Sequence, residues 1–415
     1  MSSTSSAGPV QRRRVFYIPG YDPFHPRRYR ELYRSEGAEQ AEISGYDLTL
    51  RPKSSPGPFG WHVSASIEGA DVETDIEVLV WSDIVKHSMR STVAATYWQL
   101  LRTVWIYVAT GTLWRLMRLR KGPVIAALYP VVILLVQALL ALLAGYAFAR
   151  ITGVIGAWFS LPELVAIFLQ GAVGAGAAVM LLRLFKAHDN KLFVYYLMHD
   201  YAYSAGLCGA IPAELEARMK AFTATVRDAL TENTVDEVLV VGHSSGAHIG
   251  VSVLADLLQE DLPEQRPVLS FLTLGQVVPM VSFLPRATRL RRDLREMSEQ
   301  QSIAWYDVTA PGDGCAFALC DPVAVSGVAP PEQRWPIVFS AAFTKTLSPA
   351  RWQALKRRYF RLHFQYLCAF DQPKHYDYFR ITAGPLTLGA RLKARGHSRS
   401  RLAKPLSRYR DMDKR

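Results

Sequence analysis

The segment Gly242-His243-Ser244-Ser245-Gly246 carries the residues best suited to chemistry in this 415-residue chain. It follows a short β-branched strand over residues 237–241 and precedes a helix from about residue 247, which is the G-x-S-x-G arrangement of a serine nucleophile on a tight turn. Both glycines are needed, because a Cβ at either position would crowd a strained backbone. The N–H groups at the start of the helix favour a negative oxygen, so we expect Ser244 to act as a nucleophile.

A serine nucleophile needs a histidine base and a carboxylate that orients the histidine. In the chain order nucleophile, acid, histidine, the acid comes after a later strand. A strand predicted over residues 302–308 is followed by a glycine-flanked loop with Asp313, our first candidate. Asp321 is the second candidate, and Asp307 lies within the strand. Any of these three could instead cap a turn.

Two histidines remain open as the base. A helix predicted to begin after Ser348, with Pro349 at its first position, runs to Leu367, and His363 lies near its end. His375 lies in the polar loop that follows. An H-x-x-Y arrangement at the end of an element favours His363, whereas the reach of a loop residue favours His375.

The oxyanion of an acyl-transfer intermediate needs a second backbone donor besides the N–H of Ser245. Near the N-terminus, a strand predicted over residues 15–18 ends in the turn Pro19-Gly20-Tyr21-Asp22. A glycine turn directly after an early strand can supply such a donor. The N–H of Tyr21, or that of Asp22, is the candidate.

Taken together, GHSSG, the IPGYD turn and the later acid and histidine resemble the α/β-hydrolase superfamily, in its lipase and esterase type. The resemblance covers roughly residues 10–90 and 190–385. It implies a mainly parallel sheet with helices on both faces, and strands that alternate with helices also favour such a sheet. It further implies a serine hydrolase that works through an acyl-enzyme without a metal or organic cofactor. The long insertion between the early strands and the elbow strand departs from the family.

The insertion contains two stretches without Asp, Glu, Lys or Arg, residues 122–149 and 164–182. A bilayer core needs about 20 apolar residues per helix. We therefore expect a two-helix transmembrane hairpin, with spans over about 124–149 and 164–182, rather than two core helices of a soluble domain. Three glycines would let the second helix approach the first closely: Gly171, Gly174 and Gly176.

Charge and aromatic residues flank the predicted hairpin. Basic residues precede the first span and follow the second, which places both ends in the cytoplasm by the positive-inside rule. We therefore expect an integral protein of the bacterial inner membrane whose catalytic domain faces the cytoplasm. A preceding helix is expected to lie in the membrane interface on its aromatic side chains. These are Trp98, Trp105, Tyr107 and Trp114.

The C-terminal tail concentrates the positive charge. Residues 391–415 hold ten Lys or Arg and two Asp, which accounts for +8 of the net charge of +12. So polar a segment is expected to have little fixed structure. It is interpreted as an arm for anionic lipid, with a solvated tail as the alternative, and no nucleic-acid partner is expected.

The predicted organisation has five parts. They are a disordered N-terminus over 1–13, the first part of the hydrolase domain over 14–92, the interfacial helix and hairpin over 93–186, the second part of the hydrolase domain over 187–388, and a basic tail over 389–415. The expected function is cleavage of a lipid or other lipophilic acyl ester, with membrane lipids as the other partner. The alternatives are an inactive hydrolase-fold membrane scaffold and an acyltransferase with the same triad.

Overall fold

The computed structural model describes residues 9–413. In this range eight strands form one sheet, in the order β2-β3-β4-β1-β5-β6-β7-β8. The strands are β1 (Arg12–Ile18), β2 (Asp47–Pro52), β3 (Gly60–Ile67), β4 (Ala70–Val78), β5 (Glu237–His243), β6 (Val268–Leu274), β7 (Ile303–Thr309) and β8 (Ile337–Ser340).

The sheet is parallel from β4 through β8, and β2 and β3 add an antiparallel edge. The predicted mainly parallel α/β architecture is therefore confirmed. The short edge strand β2 was not predicted. Because parallel strands share one direction, the carboxyl ends of β1, β5, β6, β7 and β8 meet at one edge of the sheet, where ligands of such sheets commonly bind.

Helices connect these strands. They are α1 (Arg27–Ser44), α2 (Ser82–Ser88), α3 (Val93–Ala109), α4 (Thr112–Leu119), α5 (Lys121–Trp158), α6 (Glu163–Ala187), α7 (Val194–Ala205), α8 (Ala213–Glu232), α9 (Gly246–Leu257), α10 (Val278–Ser282), α11 (Thr288–Glu299), α12 (Pro322–Val325), α13 (Phe343–Thr346), α14 (Pro349–Leu355), α15 (Tyr359–His363), α16 (Tyr378–Ala383) and α17 (Leu388–Leu392). Short 3₁₀ turns cover Asp189–Lys191 and Gln365–Leu367. The single helix expected from Ser348 to Leu367 is thus divided into α14, α15 and the second of these 3₁₀ turns.

Helices pack on both faces of the sheet. Alternate side chains of each strand point to opposite faces, so each strand contributes to both layers of packing. On one face, the ring of Tyr17 in β1 lies 4.9 Å from the ring of Tyr29 in α1. On the other face, Phe271 of β6 packs so closely on α9 that a Cβ at Gly250 would lie 2.8 Å from its ring. Helix α9 therefore lies directly on the sheet behind the elbow.

A buried ion pair fixes the register of the two central strands. Arg13 in β1 donates to Glu237 in β5 across 2.6 Å, and neither side chain is exposed. The same register places Ile18, the last residue of β1, beside Gly242, one residue before the end of β5. Breaking such a buried pair by removing one partner costs about 3–5 kcal/mol. The pair thus helps to keep the turn after β1 next to the elbow.

The C-terminal tail makes specific contacts over its described residues, so the prediction of little fixed structure is wrong for 391–413. Leu402 pairs with Cys320 in an isolated bridge, and the N–H of Leu406 donates to the carbonyl of Val325. Arg401 binds the buried carboxylate of Asp321. Composition suggested a solvated arm, but specific pairing holds the segment against the sheet-containing part of the chain.

The chain divides into two compact units. The first contains the sheet and comprises the residues up to 87, 110–123 and 207 onward; the second comprises 88–109 and 124–206. Helix α4 belongs to the first unit, where Thr112 donates to the carbonyl of Phe283 and Arg120 to that of Ala318. The contacts therefore divide the chain differently from the predicted 93–186 insertion.

The second unit contains α3, α5, α6 and α7. Helices α5 and α6 are long and apolar enough to cross a membrane, by length and composition. Helix α5 continues to Trp158, beyond the predicted end of the span at residue 149. The helices meet where a Cβ at Gly174 would lie 2.8 Å from the carbonyl oxygen of Gly145, whereas Gly171 and Gly176 border open space. Of the three glycines singled out, Gly174 makes the close contact.

Candidate active site

Ser244 lies on the sharp turn between β5 and α9, with a φ of 56°. A non-glycine residue adopts this left-handed conformation only under strain, which often marks a functional position. A Cβ at Gly242 would lie 2.7 Å from the carbonyl oxygen of Gly246, and one at Gly246 would overlap the carbonyl oxygen of Ile18. The turn therefore presents the serine at the carboxyl edge of the sheet only with glycine at both positions.

Asp313 and His363 form a buried hydrogen-bonded pair. Asp313 follows β7 in the loop, His363 ends α15, and Oδ2 of the carboxylate lies 2.8 Å from Nδ1 of the imidazole. Although burial alone would raise the pKa of Asp313, the neighbouring His363 and the hydrogen bonds to the carboxylate lower it below its ordinary value. Asp313 is thus held ionised and fixes which ring nitrogen of His363 faces it.

The imidazole of His363 lies beside the elbow. Its ring centre is 4.8 Å from that of His243, the residue before Ser244. Nε2 of His243 donates to the carbonyl oxygen of His363 across 3.0 Å, which ties the end of α15 to the end of β5. Burial and the nearby His363 lower the pKa of His243 to about 3, so His243 is neutral and acts here as a donor.

The structure distinguishes the alternatives that the sequence left open. His375 is exposed in the loop before α16, whereas His363 contacts Asp313. Asp321 caps α12 by accepting from the N–H groups of Val323 and Ala324. It therefore has the turn-capping role weighed for these aspartates.

Asp307 lies inside β7 and accepts a hydrogen bond of 2.6 Å from Thr273. Burial raises the pKa of Asp307 to about 8, so this carboxyl is protonated at neutral pH. A protonated group inside the strand does not serve as the carboxylate partner of a histidine.

The turn after β1 packs against the nucleophile. A Cβ at Gly20 would lie 2.9 Å from Cβ and 3.4 Å from Oγ of Ser244. Trp81 holds this turn by donating Nε1–H to the carbonyl of Pro19, and the buried ring of Tyr21 packs edge-on against it. The turn that leads to the candidate donors Tyr21 and Asp22 therefore lies beside Ser244 and against the start of α9.

Tyr366 is a site residue that was not assigned from the sequence. Its hydroxyl donates to Oδ2 of Asp313 across 3.0 Å and accepts from the N–H of Ala310. The H-x-x-Y spacing that favoured His363 was the available signal, because one turn of helix separates the two side chains. Tyr366 thus adds a second donor to Oδ2 of Asp313, besides His363.

Asp313, Cys315 and His363 are the set among the described residues that could hold a metal ion, with ligand atoms within 4.8 Å of one another. Their mixture of oxygen, sulfur and nitrogen donors suits zinc. However, the N–H of Cys315 donates to Oδ1 of Asp313, and Oδ2 already faces His363. An ion bound by this carboxylate would compete with the hydrogen bonds that it already accepts.

Comparisons of the chain with protein-family models, with curated proteins and with solved structures gave no match. The assignment of function therefore depends on the geometry of the site.

Proposed function

We propose that the protein is a membrane-anchored serine hydrolase that cleaves a carboxylic ester of a lipid or another lipophilic acyl compound. The observation that supports this most is the Asp313–His363 pair, held beside a strained Ser244 at the carboxyl edge of a parallel sheet. The nucleophile follows β5, the acid follows β7 and the histidine follows β8. This order is that of the α/β-hydrolase-like arrangement.

In the proposed reaction, Oγ of Ser244 attacks the ester carbonyl carbon while Nε2 of His363 takes the hydroxyl proton. Asp313 stays ionised beside Nδ1 of His363 and stabilises the imidazolium that forms. The N–H groups of Ser245 and Tyr21 would donate to the oxyanion. His363 then returns the proton to the leaving alcohol, and water releases the acyl group from Ser244 by the same steps.

Membrane anchoring is supported by the second unit. Helices α5 and α6 have the length and composition of membrane spans. One face of α3 exposes Trp98, Leu101, Trp105 and Val108, and its two tryptophan side chains are 67% and 72% exposed. Exposed apolar faces of this size suit a lipid interface. Substrates that partition into the bilayer would be concentrated near such an enzyme.

A fluorophosphonate probe tests the nucleophile in the full-length protein in native membranes. We expect the wild-type chain to be labelled and Ser244→Ala to lose all labelling, because the probe phosphonylates an activated serine. Ser35→Ala is the matched control, since Ser35 is exposed on α1. Labelling that persists in Ser244→Ala would exclude Ser244 as the nucleophile.

The proposed topology, with the catalytic unit in the cytoplasm of a bacterial cell, has its own test. Ser160 is exposed in the short connection between α5 and α6. A Ser160→Cys variant should react with a membrane-impermeant thiol reagent added outside intact cells, while the unaltered chain reacts only after lysis. Reaction of the variant only after lysis would contradict the orientation.

A further inference from the structure

Arg28, in the first turn of α1, is a cation beside the candidate active site. Its guanidinium carbon lies 5.0 Å from the ring centre of Phe24 and 4.8 Å from that of Phe364. Phe364 directly follows His363. Stacking on two rings fixes a planar guanidinium without using its N–H donors. The side chain remains 44% exposed, so the cation is both positioned and accessible.

The carboxylate nearest to Arg28 is already engaged by other donors. Oδ2 of Asp22 accepts from the hydroxyl of Tyr29 across 2.6 Å, and Oδ1 accepts from the N–H of Phe24 across 2.8 Å. Arg28 reaches Asp22 through Nη1 alone, at 3.3 Å. Within residues 9–413 this is the only side-chain hydrogen bond of Arg28. A single long contact differs from the paired short bonds of a bidentate arginine–carboxylate pair.

We propose that Arg28 binds an anionic group of the substrate, a phosphate or a carboxylate, next to the scissile ester. The proposal rests on the proposed hydrolase function. Arg28 contacts both sides of the site, since Asp22 follows the oxyanion candidate Tyr21 and Phe364 follows His363. The two groups that Arg28 touches thus belong to segments that lie against the elbow, since Gly20 packs on Ser244 and the ring of Phe364 is 5.0 Å from that of His243. The free N–H fork of Arg28 matches the oxygens of a phosphate or carboxylate.

Arg380 shows what an arginine with a structural role looks like in the same chain. It also stacks on an aromatic ring, 5.8 Å from the centre of Tyr46, and is similarly exposed. However, it lies between two carboxylates, 3.7 Å from Glu68 and 3.8 Å from Asp377. Two carboxylates share the charge of Arg380, whereas Arg28 has one carboxylate partner, Asp22. Arg380 is therefore a matched control.

The test compares two 4-nitrophenyl esters of equal length, one with a terminal carboxylate and one with that carboxylate methylated, on the full-length protein in neutral detergent. A hydrogen bond to a charged group contributes about 1.5–3 kcal/mol. We expect Arg28→Gln to raise KM for the anionic ester about 10- to 100-fold, with kcat and the neutral ester unchanged. Arg28→Lys should restore part of the loss, and Arg380→Gln should change neither ester. Equal losses on both esters in Arg28→Gln would mean a structural role and overturn the proposal.

Direct binding separates this proposal from the proposed hydrolysis. Ser244→Ala should bind the anionic ester more tightly than the neutral one, and adding Arg28→Gln should remove that difference. If wild type cleaves neither ester, the hydrolase proposal fails, but this binding comparison still decides the anion site. Unchanged binding after the second substitution would overturn it.

Competition then identifies the source of the anion. Stronger competition by phosphatidylglycerol in mixed micelles than by a short-chain soluble phosphate monoester would indicate a lipid headgroup. Equal competition by both would indicate a soluble anionic ester. In each case Arg28→Gln should weaken the binding of the competitor.

Discussion

Strand β7 and the loop that follows it hold two buried carboxyl groups in opposite states. Asp307, inside the strand, and Asp313, in the loop, are both shielded from solvent. Burial raises the pKa of Asp307 to about 8, yet the pKa of Asp313 lies below its ordinary value. Both residues are buried, so burial does not explain why their pKa values shift in opposite directions.

The difference lies in the donors that reach each carboxyl. Asp313 accepts from Nδ1 of His363, from the hydroxyl of Tyr366 and from the N–H of Cys315. Asp307 accepts from Thr273, and its Oδ2 is among the buried atoms without a hydrogen-bond partner in the described part of the chain. Several donors stabilise the charged form, and a single hydroxyl does not offset desolvation. The loop therefore holds an ionised carboxylate, while the strand holds a neutral carboxyl group.

Asp313→Asn should have the largest effect on this contrast. The amide cannot stabilise the imidazolium and favours the wrong tautomer of His363, so we expect kcat/KM for ester hydrolysis to fall about 10³- to 10⁴-fold. Asp307→Asn is the control, because an amide replaces a carboxyl that is already neutral, and activity should stay within a few-fold. Similar losses in both variants would remove the functional distinction between the two positions.

Tyr366→Phe should have an intermediate effect, because it removes one donor from Asp313 and leaves His363 in place. A hydrogen bond to a charged group contributes about 1.5–3 kcal/mol, so kcat/KM should fall about 10- to 100-fold. The pKa of Asp313 should also rise toward its ordinary value. Stability from a depressed carboxyl pKa is present above the unfolded value and is lost as pH falls through the folded one.

Unfolding in detergent, followed against pH, checks the second part of this prediction. The acid-induced loss of stability that comes from Asp313 should be smaller in Tyr366→Phe than in wild type and should end at a higher pH, because the folded pKa then lies closer to the unfolded one. Tyr359→Phe provides a control, since Tyr359 is exposed on α15. Wild-type behaviour of Tyr366→Phe in both activity and acid stability would show that the hydroxyl does not support the acid.

The contrast between Asp307 and Asp313 also shows where sequence reasoning is strong. The elbow is local, because strand, glycines, serine and helix follow one another within about twenty residues, and the strand over residues 237–241 and the helix from 247 agree with β5 and α9. The chain order directed the search for the acid to β7 and its loop. The chain order does not indicate which aspartate is ionised, because the donors on His363 and Tyr366 lie some 50 residues further along the chain.

Elsewhere, composition misled where specific partners decide the structure. The charge of the tail predicted disorder, yet Arg401 has a buried partner in Asp321. The small residues of the second span predicted a packing face, yet only the glycine opposite Gly145 makes the close approach. In both cases the outcome depends on contacts with residues distant in sequence, which neither composition nor periodicity specifies.

A smaller effect is expected on the pH dependence of stability through Asp307. Its folded pKa is raised to about 8, so between the unfolded value near 4 and pH 8 the folded state binds the extra proton, and stability falls as pH rises. The slope is at most about 1.4 kcal/mol per pH unit. Asp307→Asn should remove it, so its melting temperature in detergent should exceed that of wild type increasingly from pH 5 to pH 8. A constant difference across this range would mean that Asp307 is already ionised in the folded protein.

The smallest effect is expected from chelation of metal ions, which tests whether hydrogen bonds alone keep Asp313 ionised. Both oxygens of its carboxylate already accept hydrogen bonds, so ester hydrolysis should be unchanged by EDTA within experimental error. A loss in EDTA that zinc restores, and that Cys315→Ser makes permanent, would instead identify Asp313, Cys315 and His363 as metal ligands. In that case the low pKa of Asp313 would reflect a bound cation, and the contrast with Asp307 would arise from a metal rather than from hydrogen-bond donors.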